Sequence, residues 1–323
     1  DIILALTTPP LISLLALLVA RARGARMIVL MQDVYPDVAV AVGTLKKNSL
    51  VARLLERLSA LALRRADRII VLGECMRERV RAKLGGAAAR PPVDVIPNWA
   101  DGEQIKPLDP NSENPFAARH DLEDKFAVLF SGNFGLVNEF ATVLRAAEIL
   151  GDRADVQFVF VGDGAKHAEI ESFVRQRGLG NVLVLPYQPR EFVRYSLAAG
   201  DALLVTLADG LAGLSVPSKT YAIMAAGRPV LYVGDAKSDV ARLITRSGCG
   251  TVVAAGDARG LADVITDWAA NKLRTEEMGR TARRTFERYF ERAHAADAYL
   301  RSFIEAMKEE PRRPLSLLRR AQD

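Results

Sequence analysis

The sequence predicts an α/β protein with two doubly wound domains, each built around a parallel β-sheet. Two observations support this prediction. Short apolar runs rich in Val, Ile, Leu and Phe alternate with helical segments along the chain, as they do in repeated β-α-β units. The alternation stops between residues 97 and 125, where prolines stand among Asn, Asp and Gly. This stretch separates four predicted strands from six.

The first domain is predicted to span residues 1–97 and to be incomplete at its amino-terminal side, because its first six residues already read as a buried strand. Pro9 and Pro10 interrupt the uncharged run that follows, and about ten apolar residues remain for a helix, too few to span a bilayer. No basic segment precedes them, as one would in a signal peptide. The expected strands lie at residues 1–6, 26–31, 66–72 and 93–96, and the expected helices at 11–20, 49–65 and 74–84.

The second domain is predicted to span residues 126–290, after a linker at residues 98–125. Its strands are expected at residues 126–130, 156–161, 182–185, 202–205, 229–233 and 250–253. Helical segments follow from residue 261, and we expect residues 291–310 to return and pack against the first domain. A basic tail rich in Pro and Arg closes the chain at residues 311–323 and is expected to be mobile.

The charge distribution favours an anionic surface as a partner. The first 97 residues hold 15 Lys and Arg against 8 Asp and Glu, and the last thirteen contain four arginines. These basic residues alternate with Leu and Ala rather than with aromatic residues that stack on bases, so nucleic acid is not predicted. An anionic membrane surface fits the pattern. Ordinary solvated helix faces explain it equally well.

Cysteine and histidine usage excludes two classes of protein. Cys75 and Cys249 are the only cysteines, so the chain can form neither a disulfide framework nor a four-ligand zinc site. The histidines, at positions 120, 167 and 294, do not have the spacing of metal ligands. We therefore expect no bound metal and a reducing, cytoplasmic environment.

Two glycine loops follow predicted strands of the second domain. Glycines at the carboxyl end of a strand let backbone amides approach a phosphate, and the next helix start favours an anion. Neither the G-x-G-x-x-G fingerprint nor a P-loop is present, which argues against a dinucleotide-dependent dehydrogenase and a P-loop ATPase. Tight β-α turns without a ligand remain the alternative. The candidate binding residues are Gly132, Asn133, Gly135, Gly162, Asp163 and Gly164.

The strongest single signal is Pro217-Ser218-Lys219, at the start of a predicted helix that ends at Gly227. Ser218 is predicted to cap this helix. The helix dipole disfavours a cation in the first turn, so Lys219 indicates an external anion at this end. A diphosphate would satisfy the dipole, the free amides and the lysine together. The alternative is an ordinary surface lysine.

Several short motifs follow one another along most of the chain. They are QDVYPD at 32–37, IPN at 96–98, SGNFG at 131–135, VGDG at 161–164, LPYQP at 185–189 and PSK with MAAGRP between 217 and 229. In this order they resemble the bacterial family 4 glycosyltransferases that transfer sugars in colanic-acid and O-antigen synthesis. The resemblance implies the GT-B fold, in which two Rossmann-like domains lie in one chain.

The resemblance also implies retaining transfer of a hexose from a nucleotide sugar, usually a UDP-sugar, to a lipid-linked or polysaccharide acceptor. No cofactor or metal is expected, and no D-x-D sequence occurs. The donor diphosphate would be held by Lys219 and the amides of residues 132–135, with Pro217 and Gln188 nearby. Asp33 is expected to orient or deprotonate the acceptor hydroxyl, or else to be a simple turn residue. Such an enzyme would lie in the cytoplasm, peripherally at the inner face of the cell membrane.

The chain departs from the family pattern at two positions. The family's paired glutamates fall on Leu214 and Ala222, so Asp209 or Ser218 is expected to contact the donor instead. Two alternative functions stay open. A nucleotide-sugar 2-epimerase of the same fold needs carboxylates and histidines that the sequence hardly offers. A non-catalytic nucleotide-sugar-binding subunit is compatible with the lost glutamates.

Overall fold

The computed structural model describes residues 1–86, 91–109 and 112–308. The chain divides into two compact units. Unit 1 comprises the described residues of Asp1–Pro97, of Leu211–Val216 and of 293–308, whereas unit 2 comprises those of Asn98–Gly210 and Pro217–Arg292. The basic tail expected at residues 311–323 lies outside the described residues.

Unit 1 is a parallel α/β unit. Its four strands follow one another in the sheet in the order of the chain, and all of their pairings are parallel. Its elements are β1 (Ile2–Leu6), α1 (Ile12–Arg23), β2 (Arg26–Met31), α2 (Asp37–Ala41), α3 (Leu50–Arg65), β3 (Arg68–Val71), α4 (Glu74–Leu84) and β4 (Val93–Val95). The short helix α2 was not expected from the sequence.

The last described helix of the chain, α13 (Arg292–Lys308), packs in unit 1. Its Ala306 is buried with Ile28 and Ile70 of the sheet, and Phe303 packs against the same cluster. A polar network fixes the same helix, because the Asp94 carboxylate accepts hydrogen bonds from Ser302 (2.7 Å) and from the guanidinium of Arg68 (2.9 and 3.0 Å). The helix therefore completes the core of a unit whose other helices lie more than 200 positions earlier in the chain.

Unit 2 contains a six-stranded parallel sheet with the order β10-β9-β8-β5-β6-β7. Its elements are α5 (Pro115–Arg119), β5 (Phe126–Ser131), α6 (Ala141–Ile149), β6 (Val156–Val161), α7 (His167–Arg177), β7 (Val182–Leu185), α8 (Val193–Ala199), β8 (Ala202–Thr206), α9 (Lys219–Ala225), β9 (Val230–Val233), α10 (Asp239–Ser247), β10 (Gly250–Val253), α11 (Ala258–Ala270) and α12 (Lys272–Tyr289). From β5 the chain adds two strands on one side and then three on the other. The carboxyl ends of β5 and β8 thus form a topological switch point, where open α/β sheets bind ligands.

The domain boundaries differ from those expected. Residues 98–125 lie within unit 2 rather than forming a linker. Asn114 caps α5 and also donates a hydrogen bond to the Tyr195 carbonyl (3.0 Å), while Phe116 is buried. Residues 211–216, inside the predicted second domain, belong to unit 1. Residues 98–125 pack against segments that lie far away in sequence, such as the one around Tyr195. Their own composition does not show these partners and therefore suggested a linker.

Among the described residues, no helix combines the length and apolarity needed to cross a bilayer.

The predicted α/β class with two parallel sheets is confirmed. The inner strands β2, β3, β5, β6, β8 and β9 are buried on both faces, which is the environment of a parallel sheet. The edge strands are partly exposed, and in β1 Leu4 and Leu6 are about 40% exposed.

We predict that Asp94→Asn lowers the free energy of unfolding by about 1–3 kcal/mol, because Arg68 and Ser302 lose a charged acceptor. Pairing holds the pKa of Asp94 below its ordinary value of 3.8 despite partial burial. The stabilisation is therefore complete above that value and is lost as the pH falls through the lowered pKa. Thermal unfolding at several pH values tests this. Asp297→Asn, on an exposed site of α13, is the control. An equal loss in both variants would contradict the prediction.

Candidate functional site

The candidate site lies at the switch point of unit 2, where several loops follow the carboxyl ends of the strands. The loop after β5 runs from Gly132 to Phe140. It is longer than the tight β-α turn that was the alternative to a binding loop. The loop after β8 contacts it, because Ala208 N donates to the carbonyl of Val137 (2.8 Å). Both loops therefore form one wall at the edge of the sheet.

The amides of the β5 loop are partly used within the protein. Gly132 N donates to the Val161 carbonyl (2.9 Å), and Phe134 N donates to the Asp163 carbonyl (2.8 Å). The prediction that these amides bind a diphosphate is therefore wrong for these two groups. They instead continue the hydrogen bonding of the sheet and tie the β5 loop to the β6 loop.

The two glycines of the β6 loop serve the close approach of these loops. A Cβ at Gly162 would stand 2.0 Å from the carbonyl oxygen of Gly132, and one at Gly164 would stand 2.8 Å from the Phe134 nitrogen. Both residues also have φ values, +147° and +150°, that favour glycine. Packing between backbones explains both glycines without any ligand.

The helix after the β5 loop does not offer a free amino end. It begins at Ala141, and Glu139 places its carboxylate there, where both oxygens accept from Thr142 N (3.2 and 3.1 Å). This side chain already provides the negative charge that the helix start favours. The predicted anion position at this helix is thus occupied by the protein itself.

Helix α9 begins without the cap that the sequence predicted. Ser218 stands directly before it, but its backbone is already helical (φ −67°, ψ −24°) and its side chain accepts no hydrogen bond from the helix. The Thr220 hydroxyl instead donates to the Pro217 carbonyl (2.9 Å). At the other end, Arg283 of α12 donates to the carbonyl of Ala225 (2.7 Å) and holds the helix in place.

Lys219 places an ammonium inside this wall. Its Nζ lies 3.2 Å from the centroid of the Phe130 ring, and a Cβ at Gly132 would stand 3.2 Å from the same atom. The residue as a whole is half-buried, yet Nζ is shielded from solvent and has no hydrogen-bond partner among the residues that the structure describes. Gly132 therefore leaves the space that Lys219 fills.

Burial lowers the pKa of Lys219 to about 7, because the charged form loses its hydration and gains no anion in return. The face of the Phe130 ring attracts the ammonium. An anion placed against Nζ would raise the pKa by Coulomb attraction. The amine is thus poised to become fully charged when an anion binds.

The other predicted donor residues lie around the same edge. Asn133 and Asp209 are exposed, and Gln188 is half-buried and donates to the Pro186 carbonyl (3.0 Å). Asp163 is exposed, and its carboxylate accepts from Gly164 N (2.7 Å) within its own loop. Gly135 lies beside the amide of Asn133, 3.1 Å from where its Cβ would stand. The structure places these residues on the loops after β5 to β8.

Asp33, the predicted catalytic carboxylate, lies in unit 1 after β2. It forms an isolated antiparallel bridge with Ser215, and Val34 N donates to the Leu214 carbonyl (2.9 Å). Burial raises the pKa of Asp33, and a hydrogen bond from the Ser215 side chain opposes part of that rise. A carboxylate with a raised pKa is a better proton acceptor than an ordinary one.

The residues that support the site carry no recognisable signal in the sequence. Phe130 was predicted only as part of a strand, but its ring also lies under the Lys219 ammonium. Asn138 is buried and donates to the carbonyls of Asn133 (3.0 Å) and Gly135 (3.3 Å), and its own side-chain oxygen accepts from Thr206 (3.2 Å). No local pattern marks an asparagine in a loop for this role.

Across residues 1–86, 91–109 and 112–308, no group of three His, Cys, Asp or Glu side chains is arranged to hold a metal ion.

Two family models match the chain and agree with its two units. A glycosyl transferase 4-like domain matches residues 1–99, and the model of glycosyl transferases group 1 matches residues 112–285. The second match alone covers more than half of the chain. The chain belongs to the group 1 glycosyl transferases. The resemblance that the motifs suggested is thereby confirmed.

Two curated bacterial glycosyltransferases are similar to this group 1 glycosyl transferase. It is 33% identical over 273 residues to the probable glycosyltransferase WbjE of Pseudomonas aeruginosa, covering 83% of this chain and 66% of WbjE. It is 29% identical over 229 residues to the putative colanic acid biosynthesis glycosyl transferase WcaI of Escherichia coli K12, covering 70% of this chain and 55% of WcaI. The chain thus spans about three fifths of the lengths of these relatives.

Solved structures show the same fold. Anabaena HepE in complex with UDP aligns with a TM-score of 0.75 at 15% identity, over 94% of this chain and 79% of HepE. Sucrose-phosphate synthase from Thermosynechococcus elongatus aligns with a TM-score of 0.69 at 18% identity, over 88% of this chain and 68% of that protein. These likenesses confirm the predicted GT-B fold of this group 1 glycosyl transferase.

We predict that Gly132→Ala destabilises the protein by about 2 kcal/mol or more, because a Cβ at φ +134° is strained and meets the Lys219 ammonium. Gly178→Ala is the matched control: its φ is also positive (+62°), but nothing lies within 4 Å of its Cβ position. It should cost only about 1 kcal/mol. Denaturant unfolding compares the two. Equal losses would show that the contact with Lys219 contributes nothing.

Proposed function

We propose that the chain is a retaining hexosyltransferase. It would move a sugar from a nucleotide sugar, most simply a UDP-sugar, to a lipid-linked or polysaccharide acceptor in bacterial surface polysaccharide synthesis. The name of WbjE supports the class of reaction, and the name of WcaI, a putative colanic acid biosynthesis glycosyl transferase, supports the process. The UDP bound in the HepE structure supports the donor class.

The observation that carries this proposal is the unpartnered ammonium of Lys219. The amides of Gly132 and Phe134 and the start of α6 are engaged within the protein, whereas the Lys219 Nζ has no hydrogen-bond partner among the described residues. It lies at the switch point of a parallel sheet, where anionic nucleotides bind. A shielded cation without a partner is costly unless an anion completes it.

In the proposed reaction, Lys219 stabilises the charge that develops on the leaving diphosphate. The bond between the sugar and the diphosphate breaks, and negative charge accumulates on the departing oxygen. An ammonium held in a low-dielectric wall stabilises that charge without reorganising. The exposed residues Asn133, Asp209 and Ser218 are proposed to contact the rest of the donor, together with the half-buried Gln188.

Asp33 is proposed to orient the acceptor hydroxyl and to take its proton as the new glycosidic bond forms. Its raised pKa suits this task, since the carboxylate then accepts a proton near working pH more readily.

We propose further that the reaction needs no bound metal or cofactor. Lys219 supplies the positive charge that a divalent ion provides in other phosphate chemistry.

The proposed place of action is the inner face of the cell membrane, and the outer face of α3 supports it. Leu50 is 83% exposed, and Val51 and Leu54 are each 57% exposed. The arginines Arg53 and Arg57 are exposed on the same helix. Exposed apolar residues beside arginines match an anionic lipid surface, at about 1 kcal/mol per basic residue.

We predict that Lys219→Met weakens UDP binding about ten- to a hundredfold, because one charge-assisted contact is lost. The fold should be retained, and the melting temperature without ligand should not fall, since an unpaired buried cation is removed. Calorimetric titration with UDP measures the affinity. Lys272→Met, exposed on α12, is the control. Unchanged UDP affinity in Lys219→Met would refute the donor-site assignment.

The pH dependence of the same titration gives an independent readout. With a pKa of about 7 for Lys219 in the empty site, the affinity should fall about tenfold per pH unit above 7, with uptake of about one proton per UDP, until it reaches the affinity of Lys219→Met. UDP is then fully ionised, because its last phosphate pKa is about 6. Lys219→Arg should bind more weakly than the parent but without this pH dependence, since a guanidinium stays charged.

We predict salt-sensitive binding to anionic vesicles and none to zwitterionic ones, because the α3 face combines arginines with exposed leucine. Flotation at low and high salt measures it. Arg53→Gln combined with Arg57→Gln should lose most of the bound fraction, whereas Arg280→Gln on α12 of unit 2 should not. Vesicle binding that is indifferent to these arginines would reject the proposed membrane face.

A further inference from the structure

Unit 1 contains a cavity of about 190 Å³ that the donor chemistry does not use. It lies beside α3 and is lined by Leu11 near the start of α1, by Ala39 of α2, by Leu45, and by Leu55 of α3. An engineered apolar cavity of about 150 Å³ is large enough to bind benzene. The space in unit 1 therefore accommodates about eight carbon atoms.

The lining of this cavity is suited to hydrocarbon. None of its lining residues is charged. Three of its hydroxyl groups are engaged by the backbone: Thr44 donates to the Ala39 carbonyl (3.0 Å), Ser59 donates to the Tyr35 carbonyl (3.1 Å), and Thr7 accepts from Gln32 N (3.3 Å). The wall thus presents mainly apolar surface. A sugar or a phosphate would lose its hydration here without gaining partners.

The chain beside the cavity is basic. Lys46 and Lys47 are exposed and follow Leu45 directly, and Arg53 is exposed on α3. No Asp or Glu occurs between residues 38 and 55. Apolar lining next to a run of positive charge matches an amphiphile with a hydrocarbon chain and an anionic head.

One residue of the cavity wall, Tyr35, lies near the predicted acceptor-side carboxylate of Asp33. Burial and the negative charge of Asp33 both raise the pKa of Tyr35, so the two side chains lie within electrostatic reach of each other. A molecule whose chain fills the cavity would therefore carry its head toward the region of Asp33.

We propose that this cavity holds the first carbons of the hydrocarbon chain of a lipid-linked, phosphate-bearing acceptor. The proposal rests on the proposed function, whose acceptor it specifies. The chain contributes by hydrophobic burial, and the lysines beside Leu45 attract the phosphate. The acceptor hydroxyl is thereby held on the side of Asp33.

The test is a calorimetric titration of the full chain with n-alkyl phosphates of four to twelve carbons, below their micellar concentrations. Affinity should rise about fourfold per methylene, as expected for burial of each group, and level off at about eight carbons. A steady rise through twelve carbons, or no dependence on length, would overturn the proposal, because it would indicate adsorption to the surface or no binding.

Two variants that fill the cavity sharpen this test. Ala39→Leu and, independently, Ser13→Leu should move the plateau about three carbons shorter. Ala41→Leu adds the same side chain at an exposed position of α2 and should leave the plateau in place. Melting temperatures confirm that each variant is folded, and an unmoved plateau in folded cavity variants overturns the proposal.

Titration with UDP separates the two levels of inference. Cavity variants should bind UDP like the parent, because Lys219 lies in the other unit. Normal UDP binding without a chain-length plateau would reject the cavity assignment and leave the proposed function standing. A plateau in a protein that does not bind UDP would reject the proposed donor instead.

Discussion

The close approach of two loops at the switch point of unit 2 governs the candidate site. The carbonyl of Gly132 lies where a Cβ of residue 162 would stand, and the Phe134 amide bonds to the carbonyl of Asp163. These contacts require glycine at positions 162 and 164. They engage the backbone N–H groups of Gly132 and Phe134 as hydrogen-bond donors. They also fix Gly132, whose missing side chain leaves the space for the Lys219 ammonium. The cation is therefore positioned by backbone packing.

The energetics of Lys219 follow from that position. Its ammonium is shielded from water and faces an aromatic ring rather than an oxygen. The attraction of a ring for an ammonium is about 0.5–2 kcal/mol, less than the hydration that is lost. A pKa of about 7 expresses this deficit. The site thus costs stability while it is empty, and a bound anion would offset that cost. Such strain is common where a protein keeps a group ready for a ligand.

Unit 1 presents a different chemistry. Its carboxylate at Asp33 has a raised pKa, its cavity is apolar, and its exposed face on α3 is basic and leucine-rich. Helix α13 closes its core through Ala306 and the Asp94 network. Unit 1 is thus suited to an amphiphile, whereas the candidate site of unit 2 is suited to an anion. These two chemistries are the ones that the proposed transfer from a nucleotide sugar to a lipid-linked acceptor requires.

The sequence by itself determined the parallel α/β class, most strand positions and the choice of Lys219 as the candidate anion-binding residue. Buried apolar runs, glycine loops and a lysine in a first helical turn are local signals, and each was readable from a few neighbouring residues. The tertiary structure decided the rest. The amides of Gly132 and Phe134 donate hydrogen bonds to carbonyls of residues 161 and 163. Ser218 does not cap α9. The Glu139 carboxylate occupies the start of α6, where an anion was expected. Residues 98–125 belong to unit 2, and Phe130, a buried core residue, also lies under the Lys219 ammonium. A backbone group looks free in the sequence whenever its partner lies far along the chain, so only the folded chain shows which groups remain available for a ligand.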